Sequence, residues 1–385
     1  MAEVVALAQA VLEARGSAGV PMVSPIFRRR RESGNSRASS LRFRPEPKAK
    51  ASGGPWWNVR LSNRVFGRIE ESLATSERMK MEHSPSANIA PNFFIIGAPK
   101  SGTTSLCEYL NGHPNIYFSP VKEPHFFDVD MSKRLRLGLQ MYLSLFCKAD
   151  PALHKAVGEG STGYLISKVA VSEILKFNVD AKFIVMLRNP VELVQAWHAQ
   201  MNYEGVENIG DFESAWKLEP ERKRGRNIPR NCLEPKQLYY SDWGMLGEQM
   251  ERLFAVAPRN RVKIVLFDDY VADLKGIYEE VLSFLGVPTD GRNVFPIVNE
   301  NKVVLFPRLQ RLTAYTANHI RRVRIASGLK LGLGVGLFPK MLAFNSKPSP
   351  RKPISPALRA ELADCFRADI GKLSKLLGRD LSHWV

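Results

Sequence analysis

The sequence predicts an α/β fold, with a central, mainly parallel sheet flanked by helices and a basic helical tail behind it. Three observations carry this expectation. Short unbroken apolar runs at Phe93–Ile96, Phe183–Leu187 and Val262–Phe267 suit strands buried on both faces. Stretches with helical spacing separate these runs, the alternation expected of parallel strands joined by crossover helices. The first run also passes straight through a glycine-containing loop into a helix start, which is a phosphate-binding arrangement.

Residues 1–90 read as a separate, basic and poorly structured extension. Val4–Ala14 suits a short helix, Arg28–Arg31 is a basic run, and Arg31–Gly54 is rich in Ser, Arg, Pro and Lys. The Arg/Ser bias admits a transit peptide, and a translation start at Met79 or Met81 is the competing reading. The domain proper is expected over residues 91–385. After Phe93–Ile96, Gly97, Pro99 and Gly102 break the run into a tight loop. Thr103, Thr104 and Ser105 supply N-cap and first-turn residues for a helix through Leu110. His113–Phe118 gives a turn and a short strand, and Lys122–Phe127 follows at a strand end. Met131–Leu145 has helical periodicity, while residues 157–165 read as a loop leading to a helix over Val169–Phe177.

Lys182–Arg188 is a buried strand, and Pro190 favours a helix start ahead of Val191–Tyr203. Residues 204–245 are polar and irregular. Their basic group, Arg222, Lys223, Arg224, Arg226 and Arg230, reads as a solvated face, with contact to an anionic acceptor as the alternative. A helix over Met245–Ala255, the strand Val262–Phe267 and a helix over Leu274–Leu285, closed by Gly286 and Pro288, come next. The tail breaks near Gly328–Pro339 and closes with a helix over Ala357–Leu377.

Charge is distributed unevenly. The formal net charge of +17 divides into +7 over residues 1–90 (15 Lys/Arg, 8 Asp/Glu), −2 over 91–300 (24 and 26) and +12 over 301–385 (16 and 4). A near-neutral centre with basic ends suits a solvated tail and a basic face beside an anionic donor or acceptor, in preference to a nucleic-acid binder. The four cysteines have no CxxC spacing, so neither a metal site nor a disulfide framework is expected, and a reducing, cytoplasmic setting fits. No stretch reads as a membrane span; Lys330, Pro339 and Lys340 interrupt the nearest candidate, Gly328–Phe344. Oligomeric state is not legible.

Strand, glycine loop and helix N-terminus together form an anion site, because loop N–H groups and the helix dipole favour negative charge. Lys100 adds a formal positive charge. The loop is not a Walker A motif, which ends in Gly-Lys-Ser/Thr. Here Thr103 follows Gly102, and Lys100 precedes that glycine by two residues.

The order Pro99-Lys100-Ser101-Gly102-Thr103-Thr104 resembles the 5′-phosphosulfate loop of sulfotransferases, which use PAPS (3′-phosphoadenosine 5′-phosphosulfate). Lys122-Glu123-Pro124-His125-Phe126-Phe127 resembles a segment of the heparan-sulfate-type and related bacterial-type branch, and Gly158–Tyr164 is similar to the segment that follows it. Leu187-Arg188-Asn189-Pro190-Val191-Glu192 is similar to the start of the 3′-phosphate-binding segment, and the tail resembles that branch down to Leu381-Ser382-His383-Trp384. The resemblance spans roughly residues 92–385. It implies a P-loop-like α/β domain and a PAPS-dependent enzyme that sulfates a hydroxyl or amine and releases PAP.

The resemblance also implies roles. Lys100 stabilises charge on the leaving oxygen, and Ser101, Gly102, Thr103, Thr104 and Ser105 complete the 5′ site. Arg188 pairs with the 3′-phosphate through its planar fork. Glu123 is the expected base, with His125 as a second base or as the group that orients Glu123. No metal is required. The acceptor is left open among carbohydrates and other small hydroxylated molecules.

Two departures stand out. Ala196 occupies a position where the family usually has a serine that binds the 3′-phosphate, and Gly160 one where heparan-type members often carry a lysine. The competing readings are a degenerate PAP-, anion- or polysaccharide-binding protein without turnover and a P-loop nucleotide kinase.

Overall fold

The structure, a computed structural model, describes residues 89–131, 137–296, 302–316, 344–348 and 353–385. All lie in one compact unit running from Ser86 to Val385. The expectations for residues 1–88 and for the break at Gly328–Pro339 fall outside the described residues.

In chain order the main elements are β1 (Phe93–Gly97), α1 (Thr103–Asn111), β2 (Ile116–Phe118), α2 (Leu139–Leu143), β3 (Ala156–Gly160), α3 (Ala170–Phe177), β4 (Lys182–Leu187) and α4 (Pro190–Tyr203). There follow α5 (Phe212–Lys217), α6 (Glu219–Lys223), α7 (Tyr240–Gly244), α8 (Leu246–Val256), β5 (Val262–Leu266), α9 (Phe267–Ala272) and α10 (Leu274–Leu285). A short antiparallel pair, β6 (Lys302–Val304) and β7 (Ser346–Pro348), precedes α11 (Pro356–Leu377).

Strands β1 to β5 form one sheet in the order β2-β3-β1-β4-β5, and every pairing is parallel. β1 lies at its centre, and all five of its residues are buried. Its side chains alternate between two cores. Phe94 and Ile96 pack with Phe183, Val185 and Leu187 on one face. Phe93 and Ile95 pack with Leu106, Leu110, Met186 and Val281 on the other. A strand covered on both faces has no solvent side, so its sequence shows no polar alternation.

Three expectations need correction. Residues 157–165 do not begin as a loop: Ala156–Gly160 is a fully buried strand between β2 and β1. Its glycines hid it. A Cβ on Gly158 would lie 2.5 Å from the Phe93 ring, and one on Gly160 would lie 2.8 Å from Cys107 Sγ. Neighbouring side chains fill the volume that strand side chains normally occupy, so hydrophobicity gave no signal.

Among the described residues, the helix expected from Met131 is found at Leu139–Leu143, after an extended Gly138 (φ −69°, ψ 159°), and is continued by a 3₁₀ turn to Phe146. In the 204–245 region, Arg222 is not solvated. It is fully buried and makes a two-bond pair with Glu207 (2.7 and 2.8 Å), which also accepts from Tyr240 OH at 2.6 Å. Burial alone would raise the Glu207 carboxyl, but the Arg222 and Tyr240 donors hold it below its ordinary range.

Helix α11 starts with Ser355 Oγ accepting from Leu358 N (3.2 Å) and Pro356 in the first turn. Its buried Asp369 accepts from Gly247 N and Glu248 N at 2.6 and 2.8 Å, satisfying first-turn donors of α8. Cys107, Cys147, Cys232 and Cys365 are free thiols. Among the described residues no His/Cys/Asp/Glu cluster is arranged to hold a metal, and no helix is long and apolar enough to cross a membrane.

Candidate active site

The loop after β1 reverses direction through residues of unusual backbone. Gly102 has φ 89° and packs so closely that a Cβ would sit 3.2–3.3 Å from Met186, Phe267 and Tyr270. Gly102 itself is the N-cap of α1, with no side-chain cap, so Thr103 opens the first turn and does not fill the cap position expected of it. The N-terminus of α1 is therefore without a capping side chain, and only glycine allows the close approach.

The hydroxyls are less available than the sequence suggests. Ser101 is fully buried and donates to Pro99 O at 3.4 Å. Ser105 donates to Gly102 O at 2.8 Å and lies 3.0 Å from Tyr270 OH. Thr103 is buried, and Thr104 Oγ1 accepts from Lys122 Nζ at 2.5 Å. What the site offers an anion is the first-turn N–H groups of α1, Lys100 of the loop, and Lys122 from the segment after β2. The donor set and the glycine cradle fit a phosphosulfate group.

Lys100 adopts φ 61°, and its Nζ donates to Gln200 Oε1 of α4 at 3.0 Å. Arg188 stands just beyond β4. Its Nη1 donates to the Lys100 carbonyl at 3.1 Å, its Nε to Glu192 Oε2 at 3.1 Å, and its Nη2 also to Glu192. The guanidinium lies over the Phe267 ring, 4.4 Å from its centroid. Three of the five N–H groups of the fork are thus engaged by the protein. Ala196 is fully buried, and it shares a face of α4 with Glu192 and Gln200, each four residues away.

Glu123 and His125 follow β2, on a segment held against the end of β3. Glu123 N donates to Gly160 O at 3.1 Å, and Lys122 ties the segment to α1 through Thr104. Thr162 Oγ1 donates to Glu123 Oε1 at 3.2 Å. His125 Nε2 lies 3.2 Å from Glu123 Oε2, and its Nδ1 lies 2.9 Å from the buried Asp128. Among the described residues the non-glycine positions with positive φ are Lys100, Glu123, His125 and Asn227. Three of these four are the expected catalytic residues. A left-handed backbone at such positions costs on the order of 1–3 kcal/mol each and persists only where surrounding contacts over-determine it.

Glu159 supplies part of that determination from below. It is fully buried and accepts from Tyr142 OH (3.1 Å), Tyr164 OH (2.8 Å) and Ser161 Oγ (2.7 Å). With their protons directed at Glu159, the other hydroxyl lone pairs face the 125–127 backbone. Ser161 Oγ accepts from His125 N at 3.2 Å, and Tyr164 OH accepts from Phe126 N and Phe127 N at 3.0 and 3.4 Å. Burial pushes the Glu159 carboxyl up to about 7, against the opposing pull of its three hydroxyl donors and nearby His125.

All the expected residues gather along the ends of β1 to β4, where open α/β sheets bind ligands. The sequence reading missed Gln200 and Asp128, and it gave Lys122, Ser161, Thr162 and Tyr164 no role beyond their place in the resembling segments. Glu192 and Gln200 carried one faint signal, their helical spacing after Arg188; Lys122 and Asp128 meet Thr104 and His125, and Ser161, Thr162 and Tyr164 follow the strand hidden at Ala156–Gly160. His198, buried, has Nε2 2.9 Å from Ile209 O and from Asn202 Nδ2, and burial lowers its affinity for a proton; its role is structural.

The parallel sheet and the loop at its edge define an α/β group-transfer domain. The sulfotransferase domain model matches residues 90–303, more than half of the chain, and the chain belongs to the sulfotransferase family. A sulfotransferase from Alicyclobacillus acidocaldarius has a similar structure, with a TM-score of 0.56, 27% identity, and coverage of 77% of this chain and 99% of that one. Human heparan sulfate glucosamine 3-O-sulfotransferase 3B1 is 34% identical over 232 residues, 60% of this chain and 54% of that protein. Human carbohydrate sulfotransferase 15 is 32% identical over 248 residues, 51% of this chain and 44% of that protein. The chain spans between about a fifth and about half the length of such curated relatives.

Proposed function

We propose that this protein transfers a sulfuryl group from PAPS to an acceptor hydroxyl or amine and releases PAP. The observation that supports the reading best is the meeting of a basic, uncapped helix N-terminus with the Glu123–His125–Asp128 chain at one edge of the sheet. When bound, the donor supplies a sulfur–oxygen bond whose leaving group is a phosphate oxygen. Lys100 and the first-turn N–H groups of α1 offset charge at that end. Arg188 pairs with the 3′-phosphate through its remaining N–H groups. Glu123 takes the acceptor's proton, and His125, set between Glu123 and Asp128, fixes the carboxylate's orientation.

For the acceptor we favour a carbohydrate hydroxyl, the substrate class named in several relatives. Gly160 argues against a dedicated heparan enzyme. The space beside it is filled by Cys107 and Phe118, leaving no room for a lysine. Calorimetric titration with PAP followed by labelled-PAPS transfer to a panel of carbohydrates, phenols and alcohols tests the whole reading. A second reading, PAP binding without turnover, draws on the Arg188–Glu192 pairing and on Ala196. PAP binding with no transfer to any acceptor would favour it. A nucleotide kinase would instead consume ATP with Mg²⁺.

A further inference from the structure

The ends of two neighbouring strands carry the groups that flank the proposed 3′-phosphate site. Leu187 of β4 pairs in register with Leu266 of β5, so Arg188 and Phe267, the next residues, emerge side by side. This places the Phe267 ring beneath the Arg188 guanidinium. A strand pairing alone fixes neither side chain beyond the sheet edge, since both residues begin connecting segments.

The segment 379–384 reaches over both ends. Trp384 is almost completely buried. Its indole Nε1 donates to Asp268 Oδ2 at 2.8 Å, on the residue after Phe267. Its carbonyl accepts from Asn189 Nδ2 at 2.7 Å, on the residue after Arg188. The same Asn189 side chain caps α4, its Oδ1 accepting from Val191 N at 2.9 Å. Arg379 adds a two-bond pair with Asp269, one bond being 2.7 Å. Leu381 N is in turn held by Ser374 Oγ of α11 at 3.2 Å. One residue therefore clasps the connection after β4 and the first turn of α9 after β5.

We propose that Trp384 is a positioning residue for the donor's 3′-phosphate, holding Arg188, at the end of β4, and Phe267, at the start of α9, at a fixed separation. This rests on the proposed pairing of Arg188 with that phosphate. The physical reason is pre-organisation. A planar fork delivers two parallel bonds to a phosphate only if its plane is set beforehand. Stacking on Phe267 sets the plane, and Trp384 fixes Phe267 relative to Arg188. The 5′ loop touches the same groups through the Arg188 Nη1 bond to the Lys100 carbonyl, but it has its own anchor in Ala98 N to Met186 O at 2.7 Å, so the brace acts first on the 3′ end of the donor.

The test compares PAP with 5′-AMP, which lacks the 3′-phosphate, by calorimetry on the full chain. Trp384→Phe keeps an aromatic ring and removes the Nε1–H donor. Asn189→Ser keeps a cap and removes the donor to the Trp384 carbonyl. Each variant should weaken PAP binding about three- to tenfold while leaving 5′-AMP binding within twofold. Loss of both ligands in equal measure, or of neither, would overturn the brace, and thermal unfolding of each variant shows whether the fold is intact. Arg188→Ala separates the two ideas. If it too leaves the PAP-to-AMP ratio unchanged, the pairing of Arg188 with the 3′-phosphate fails. If it collapses the ratio and both brace variants do not, only the role of Trp384 fails.

Discussion

Glu123 and His125 face one another across 3.2 Å, and both hold a left-handed backbone, φ 53° and 52°. Two strained residues separated by one proline bring a carboxylate and an imidazole together on the same side of a short segment. Both are also held through their backbones, Glu123 N by Gly160 O and His125 N by Ser161 Oγ. The strain is held by those bonds and by Asp128 behind the ring.

Glu123→Gln should leave PAP affinity within twofold and lower kcat by about 10² to 10⁴-fold, the range for losing a positioned base. Steady-state kinetics with a sulfated product assay, alongside calorimetry, checks it. Equal losses in binding and turnover would make Glu123 structural.

Lys100→Ala should reduce transfer by at least about 10²-fold, as expected when a group stabilising the leaving charge is removed. Gln200→Ala, which frees the lysine from its 3.0 Å partner, should cost about tenfold or less in kcat, because the charge remains and only its placement loosens. Labelled-PAPS turnover distinguishes the two, and unchanged turnover in Lys100→Ala would sink the mechanism.

Glu192→Gln should tighten PAP binding about two- to fivefold, the scale of a half-exposed ion pair. The Glu192 carboxylate, bonded to Arg188 Nε and Nη2, offsets the guanidinium charge and repels a phosphate brought to the remaining N–H groups. Weaker PAP binding in the variant would instead mean that Glu192 orients the guanidinium.

Glu159 gives a pH prediction with a definite sign. Its folded carboxyl lies at about 7, above the 4.5 of an unperturbed group. The unfolded chain therefore ionises first. The contribution of Glu159 to stability is complete below about 4.5 and is lost as pH rises through about 7. At about 1.4 kcal/mol per unit, the stability of the parent relative to Glu159→Gln should fall by on the order of 3 kcal/mol between pH 4.5 and 8. Denaturant unfolding at several pH values measures the difference, and a flat difference would contradict the buried setting.

The loop and the elements beside it were legible because each carries a strong local signal, whereas Arg188 and Glu123 were singled out by the resemblance of their segments. Phe93–Ile96 announces a strand, Gly97 and Gly102 a turn, and Pro190 a helix start. The match at Leu274–Leu285 was residue for residue, since Asp273 caps it and the left-handed Gly286 ends it. Ala156–Gly160 failed for a reason of packing. Its burial comes from Phe93 and Cys107 on other elements, so nothing in its own five residues reports it. Arg222 failed likewise, because its partner Glu207 lies 15 residues back, in the connection between α4 and α5, and the pair is buried by the surrounding chain.

The sequence by itself determined the α/β alternation, the anion loop and the residue types available for transfer, because these depend on side chains near one another along the chain. Tertiary structure decided how many of those groups are free to act. It turned the hydroxyls of Ser101 and Ser105 inward, set Glu192 and Gln200 against the two cations, and hid Glu159 beneath the base. It also carried Trp384 back to the ends of β4 and β5. Such contacts join residues as many as 195 positions apart, and only the folded chain brings their partners within hydrogen-bonding distance.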